Sequence, residues 1–353
     1  MAPPHEDNPP QLEIESQDEG KEKAAADAEN TVEGESEVVL DDAELLKQAR
    51  DQVAEECYLK AARLFEKVSD KSLLSDLDKH ALSVAERCKE IKQELFEKFE
   101  DGGWHKQSEI HGHRDTCIYY KVNKDSSLLV RIETPIESSL LNPLLSVFSE
   151  SDLYKDWMPS FKVPRLGVEL SEKMQETGRG NQVIRVRIAM PFPFDNRECI
   201  QHAIAIDSID EEDGCIVVTV KSLDEGKHLN GLDIPPPDRG VRRVDFEAGI
   251  VIRPCPADHP ALLHSKNKYD GEKLLLVQVT QMMDAHVAGV PMSMINFFTR
   301  TVLGRMWGSL LQVAEDVRDG KRPAFAEKIA EHRELYDWVE GRVQVLLDKI
   351  HHH

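Results

Sequence analysis

The sequence predicts an α+β fold in which a curled antiparallel sheet wraps a long C-terminal helix, with a helical hairpin in front of both. Three features carry that prediction. Apolar residues recur at helical spacing between Asp41 and Phe99. From Trp104 the spacing switches to alternation, in nine segments parted by short polar turns. Helical spacing then returns over residues 291–318 as one apolar stripe.

The 353 residues carry 44 basic and 65 acidic side chains, a net charge of −21, and 40% of them are hydrophobic. That apolar share is enough for a buried core, and the length fits roughly two domains of about 100–200 residues each. Phosphate contacts need clustered Lys and Arg, so the charge argues against a general nucleic-acid binder. No apolar run approaches the ~20 residues of a spanning helix. The opening MAPPHEDNPPQLEIE has no basic n-region and no apolar h-region, so neither a secretory signal nor a transit peptide is expected. The six cysteines (Cys57, Cys88, Cys117, Cys199, Cys215, Cys255) form no CxxC, which fits reduced thiols in a cytoplasmic protein. His351 to His353 read as a tag remnant.

Residues 1–40 read as a disordered acidic tail. They hold 12 acidic and 2 basic side chains, and too little apolar surface to offset the ordering of their backbone. Residues 41–101 read as the helical hairpin, with Leu45, Leu46, Ala49 and Val53, then Leu59, Ala62, Phe65 and Val68, then Leu73 to Phe96 on helical faces. Asp41 and Ser72 are the expected N-caps, and Asp101-Gly102-Gly103 is the stop. YLKAARLFEKV has the rhythm of a tetratricopeptide-like helix pair, but no second copy follows at about 34 residues. A single unit makes no solenoid, so this segment is expected to pack on the next domain or on a protein partner.

Strands are predicted at 104–111, 116–122, 127–136, 163–171, 182–190, 198–209, 215–221, 240–253 and 272–283, with a short helical pair at 137–157. The closing helix at 291–318 completes a domain spanning 102–320, and a charged final helix follows at 324–350. A sheet curled on a helix leaves an interior cavity. The alternation assigns faces. Ile184, Val186, Ile188 and Met190 share one face, and Arg185 and Arg187 the other. Ile200, Ile204 and Ile206 share a face with His202. Val244, Phe246, Ala248, Ile250 and Ile252 share one with Arg242. Gln278 and Thr280 sit with Leu274, Leu276 and Met282. His202 reads either as a satisfied core histidine or as a pocket-lining group, and Gln278 and Thr280 either as interior polar groups or as an outward polar side. The closing helix carries Met294, Ile295, Phe298, Val302, Met306 and Leu310, and its stripe is widened by Trp307 and Leu311. Core packing explains most of that face. Its width also suits a movable lid over a ligand, since Met adapts to varied apolar shapes.

Three segments resemble those of one family. MPFPFDNRECI (190–200) is similar to the "PFP-x-x-NR-(D/E)" segment of START lipid-transfer domains, nearest the phosphatidylcholine-transfer branch. SDLYKDWMPSF (151–161) resembles that family's short helix ending in a tryptophan, here Trp157. AGVPMSMINFFTR (288–300) resembles the family's "G-x-x-P-x-x-(I/L)-N" approach to the closing helix. The resemblance implies a helix-grip fold around one lipid or sterol, with loops 191–196 and 289–291 flanking a tunnel mouth and no catalytic residues. The phosphatidylcholine branch holds its headgroup with an arginine and an aspartate around the motif tryptophan. Tyr154 and Met158 stand at those positions here, so the headgroup cage is not reproduced.

The expected function is therefore to bind a single lipid or sterol in an internal hydrophobic tunnel and to carry it between membranes or sense it. Water exposure of a lipid costs about 0.8 kcal/mol per CH₂, which a dry tunnel removes. The candidate ligand-binding residues are Trp157, His202, Arg242, Gln278, Thr280, Met294, Phe298, Val302 and Met306. The expected partners are the lipid or sterol, a transient membrane surface and a protein docked on residues 41–101. No cofactor and no metal are expected. A non-transferring interaction scaffold is the alternative. A helix-grip cyclase or hydrolase is a minor one, for which His202, Arg242, Arg131 and Glu133 are the acid–base candidates. His111 and His113 share a strand face, but nothing at regular spacing completes a zinc site.

Overall fold

The computed structural model describes residues 40–100, 102–110, 114–122, 128–262, 274–283 and 303–351. Residues from Asp41 onward form one compact unit. Residues 1–39 lie outside the described set, as do His111, His113 and residues 284–302.

Three helices open the fold: α1 (Asp42–Ala54), α2 (Tyr58–Lys67) and α3 (Asp76–Glu100). Asp41 caps α1, its carboxylate accepting from the Glu44 N–H at 2.8 Å. Ser72 does not cap α3. It lies in a short 3₁₀ turn capped by Asp70, and α3 begins four residues later. Ser75 and Asp78 exchange side chain–backbone hydrogen bonds there, at 2.8 and 3.2 Å, a capping box with Asp in the Glu position. Arg50 bonds the same carboxylate at 2.7 Å, and this bond chiefly holds the Asp78 carboxyl down to about 2.

The strands are β1 (His105–Ile110), β2 (Thr116–Val122), β3 (Leu128–Glu137), β4 (Gly167–Gly178), β5 (Asn181–Ala189), β6 (Asn196–Ser208), β7 (Cys215–Ser222), β8 (His228–Leu229), β9 (Leu232–Asp233), β10 (Val241–Arg243), β11 (Phe246–Pro254) and β12 (Leu274–Met283). The main sheet runs β1-β2-β3-β12-β11-β7-β6-β5-β4, antiparallel throughout, with β10 pairing β6 in parallel. The strand expected over 240–253 is thus two, broken at Val244-Asp245. The strand expected from 163 starts at Gly167, because Phe161 and Leu166 close a tight turn on each other first. Between β3 and β4 lie α4 (Leu141–Ser149) and α5 (Tyr154–Trp157).

After β12 come α6 (Leu303–Arg318), α7 (Pro323–Glu331) and α8 (Arg333–His351). The last two replace the single helix expected over 324–350. Helix α6 lies against the concave face of the sheet. Leu303, Trp307, Leu310 and Leu311 pack with Ile132, Ile250, Ile252 and Val277, and with Leu141 and Leu144 of α4. The Trp307 indole N–H donates to Thr134 Oγ1 at 2.8 Å. Arg114 ties the helix end down, with Glu315 at 2.6 Å and Glu137 at 2.5 Å. This is the helix-grip arrangement expected from the sequence.

The convex face is covered too. Leu59, Ala62, Ala85, Leu95 and Phe99 of the opening helices pack on Leu129, Ile206, Cys215, Val217 and Val251. Helix and sheet come close at Gly249, where a Cβ would stand 2.3 Å from Leu95 Cδ1. The apolar face of the hairpin is therefore spent on the sheet. Arg185 and Arg187 are also on the convex side, bonding the fully buried carboxylate of Glu198 at 2.8 and 2.7 Å.

Candidate functional site

The concave face is filled along β3, β12 and β11 but not along β5, β6 and β7. Strand β6 outruns its neighbour, because the β4–β5 hairpin turns back at Gly178–Asn181. Gly180 adopts φ +73° in that turn, a left-handed conformation that suits glycine. The Asn181 carboxamide then accepts from the Ala205 N–H at 2.8 Å, capping the edge left bare. Small residues, Ala203 and Ala205, face inward where the sheet ends. A cavity of about 210 Å³ remains.

Its floor includes Ile184, Ala203, Val218 and Ile250. Leu145 and Phe148 of α4 and Tyr154 of α5 form one wall, Leu335, Tyr336, Trp338, Val339 and Arg342 of α8 another, and Tyr58, Leu59, Val84 and Cys88 of the opening helices reach it as well. Several polar groups around it are bonded to protein partners. The Tyr154 hydroxyl donates to the Phe148 carbonyl at 2.7 Å, and the Gln182 amide to the Ser149 carbonyl at 3.0 Å. The Tyr336 hydroxyl donates to the buried Glu150 at 2.6 Å, and the same oxygen meets His332 at 3.1 Å. Burial, and then Glu150, pushes both phenols above the ordinary tyrosine range.

Two arginines stand at the rim. Arg342 bonds Asp207 and reaches Asp210 at 2.7 Å. Burial works to raise the Asp210 carboxyl, but the hydrogen bond and charge of Arg342 outweigh it, so this group sits below its usual range. Arg179 meets Glu55 at 3.0 Å and Glu334 at 3.8 Å, and lies over the Trp338 ring at 5.1 Å. Its backbone N–H donates to Glu56 at 2.9 Å. Helices from both ends of the compact unit thus clamp one hairpin tip. The Gln201 amide, on the cavity side of β6, donates to the Cys199 sulfur at 2.9 Å. Burial pushes that thiol up to about 11, keeping it a neutral, weak acceptor.

The described residues among those expected to bind ligand do not come together. Trp157 is buried in the core beside α6, edge-on to Tyr154 at 5.7 Å, and Met306 packs partly buried against the same core. His202 points to the convex side, bonding Thr177 Oγ1 at 3.0 Å beside a groove of about 700 Å³ under α3. Burial lowers its pKa. Gln278 and Thr280 are buried on the convex side as well, with Gln278 accepting from Arg253 at 3.4 Å. Arg242 is a correction: its side chain is 68% exposed and 4.0 Å from Asp195, away from any interior. Met294, Phe298 and Val302 lie outside the described residues. The acid–base candidates are convex too, with Glu133 bonded to His259 at 3.0 Å and Arg131 over the Trp104 ring at 4.1 Å. The residues that do line the cavity, Gln201 and the α8 side chains, were missed. The available signal was the pair of alanines on the odd positions of β6, since small residues on an interior strand face mark unfilled space.

No family model matches the chain, and no curated protein matches it. Among solved structures, human STARD10 is similar at 13% identity, over 77% of this chain and 89% of that one, with a TM-score of 0.48. A STAR-related lipid transfer protein from Xanthomonas axonopodis is similar at 19% identity, over 61% and 99%, with a TM-score of 0.42. The lipid transfer and protein localization domain of human StarD13 is similar at 14% identity, over 67% and 96%, with a TM-score of 0.38.

Proposed function

We propose that this chain is a START-type protein that binds a single lipid or sterol beneath the concave face of its sheet and carries it between membranes or senses it. The observation that supports this most is the apolar-walled cavity bounded by β5–β7, α4, α8 and the ends of the opening helices. Such a lining solvates hydrocarbon and offers little to a charge. The three motif segments support the same reading, although Tyr154 and Met158 depart from the phosphatidylcholine branch. No catalytic step is part of the proposal.

A membrane surface is the proposed site of loading and release. Val163 and Phe192 are 91% and 97% exposed. Their loops leave the sheet side by side, since Gly167 pairs with Ala189. Exposed Lys162 and Arg165 flank Val163. Apolar tips beside cations suit an anionic bilayer even on an acidic protein. Among the described residues no helix is long and apolar enough to cross a membrane, and we place the protein in the cytoplasm, peripheral to membranes.

The test is native mass spectrometry of protein purified from cells, with lipid extraction of the same sample. One co-purifying lipid per chain is expected. A clean apo mass, with no uptake from mixed liposomes, would overturn the carrier reading. It would favour a scaffold, a reading supported by α6 filling half the concave face and by Leu73 and Leu77, 48% and 80% exposed at the turn into α3, where a protein partner would dock.

A further inference from the structure

We infer that the cavity takes an uncharged, single-chain lipid bearing one hydroxyl or carbonyl, and that Gln201 reads that group. The inference rests on the carrier reading and narrows it. Size is the first ground. About 210 Å³ falls below the ~300–1,000 Å³ of pockets that enclose drug-sized ligands, so one chain fits and a diacyl lipid does not.

Charge is the second ground. A phosphate moved out of water needs a cation or several free donors. Each arginine at the cavity is already held by two carboxylates, Arg179 by Glu55 and Glu334, and Arg342 by Asp207 and Asp210. A lipid phosphate would have to displace them and leave acids unpaired. Three of the neutral donors are spent as well: the Tyr154, Tyr336 and Gln182 groups bond Phe148, Glu150 and Ser149.

Gln201 differs. Its NH₂ donates to a thiol sulfur, a weak acceptor that a ligand oxygen readily replaces. It sits on the cavity side of β6, two residues before Ala203, within reach of a single polar group on an otherwise apolar ligand.

Three probes with one chain separate the possibilities: decane, 1-decanol and decyl phosphate, titrated into the full chain and followed by native mass spectrometry and tryptophan fluorescence. Decanol is expected to bind best, with decane and decyl phosphate each at least tenfold weaker. Gln201→Leu should bring decanol down to the level of decane and leave decane unchanged. The inference is overturned if decyl phosphate matches decanol, if phosphatidylcholine from vesicles binds one per chain, or if Gln201→Leu weakens decane and decanol by the same factor. In those cases lipid binding itself stands. If none of the probes and no vesicle lipid binds, the carrier reading fails, and this inference with it.

Discussion

The concave face has two halves, and they are built to different rules. Along β3, β12 and β11, branched side chains such as Ile132, Val277 and Ile252 pack in one buried cluster with Trp307 and Leu311. Along β5, β6 and β7, Ala203 and Ala205 stop short, and α4 and α8 bridge over the gap. The filled half behaves like an ordinary protein interior, where density is uniform and each methylene counts. The open half holds its roof in place by ion pairs and hydrogen bonds at the rim. One sheet thus carries stability on one side and room for a ligand on the other.

The largest effect should come from breaking the filled half. Trp307→Ala should cost about 3–5 kcal/mol, leaving Thr134 without the donor it has at 2.8 Å. Urea denaturation measures this, and a cost below about 1 kcal/mol would remove the distinction between the halves. Next comes the roof. Arg342→Ala leaves two carboxylates facing each other and should cost about 3 kcal/mol at pH 7. The folded Asp210 sits below its usual range, so its stabilisation is fully present above the ordinary carboxylate value near pH 4 and is lost as pH falls from there through the lowered folded value. Denaturation at pH 7 and pH 3 should show a shallower acid loss in the variant than in the parent.

Filling the gap sharpens the contrast instead. Ala203→Phe should change stability by less than about 1.5 kcal/mol, while ligand uptake falls at least tenfold. A core position already full would respond the other way, losing stability first. The smallest effect on folding belongs to the loop tips. Val163→Asp with Phe192→Asp should leave stability within about 0.5 kcal/mol and reduce cosedimentation with anionic vesicles several-fold. Unchanged cosedimentation would remove these loops from the membrane surface.

Much of the scaffold was legible in the residues. The switch of period at Trp104, the strands and the apolar stripe of α6 all follow from where apolar side chains recur. The side facing the cavity did not. Alternation reveals a buried face only when the other face is wet, and here both are covered. On β6 the greasier positions, Ile200, Ile204 and Ile206, point to the convex side, and the concave side of the cavity is lined by Gln201, Ala203 and Ala205. The same inversion put Gln278 and Thr280 on the convex side. The α8 contribution was invisible for another reason. Trp338 and Arg342 look like surface residues of a charged helix until their partners, more than 100 positions upstream, are brought to them.

That separation has a consequence for how the chain is made. Arg342 reaches Asp207 across 135 residues, and Lys349 reaches the Ile209 carbonyl across 140. At synthesis rates of about 5–20 residues per second, the 135-residue interval corresponds to about 7–27 seconds. During that interval the described residues that meet the acidic turn after β6 from upstream are Lys60, Arg63 and Lys92. A nascent sheet in this state is open along β6 and exposes the apolar wall that α8 later seals, so the growing chain passes through a sticky stage that ends only once α8 has been made.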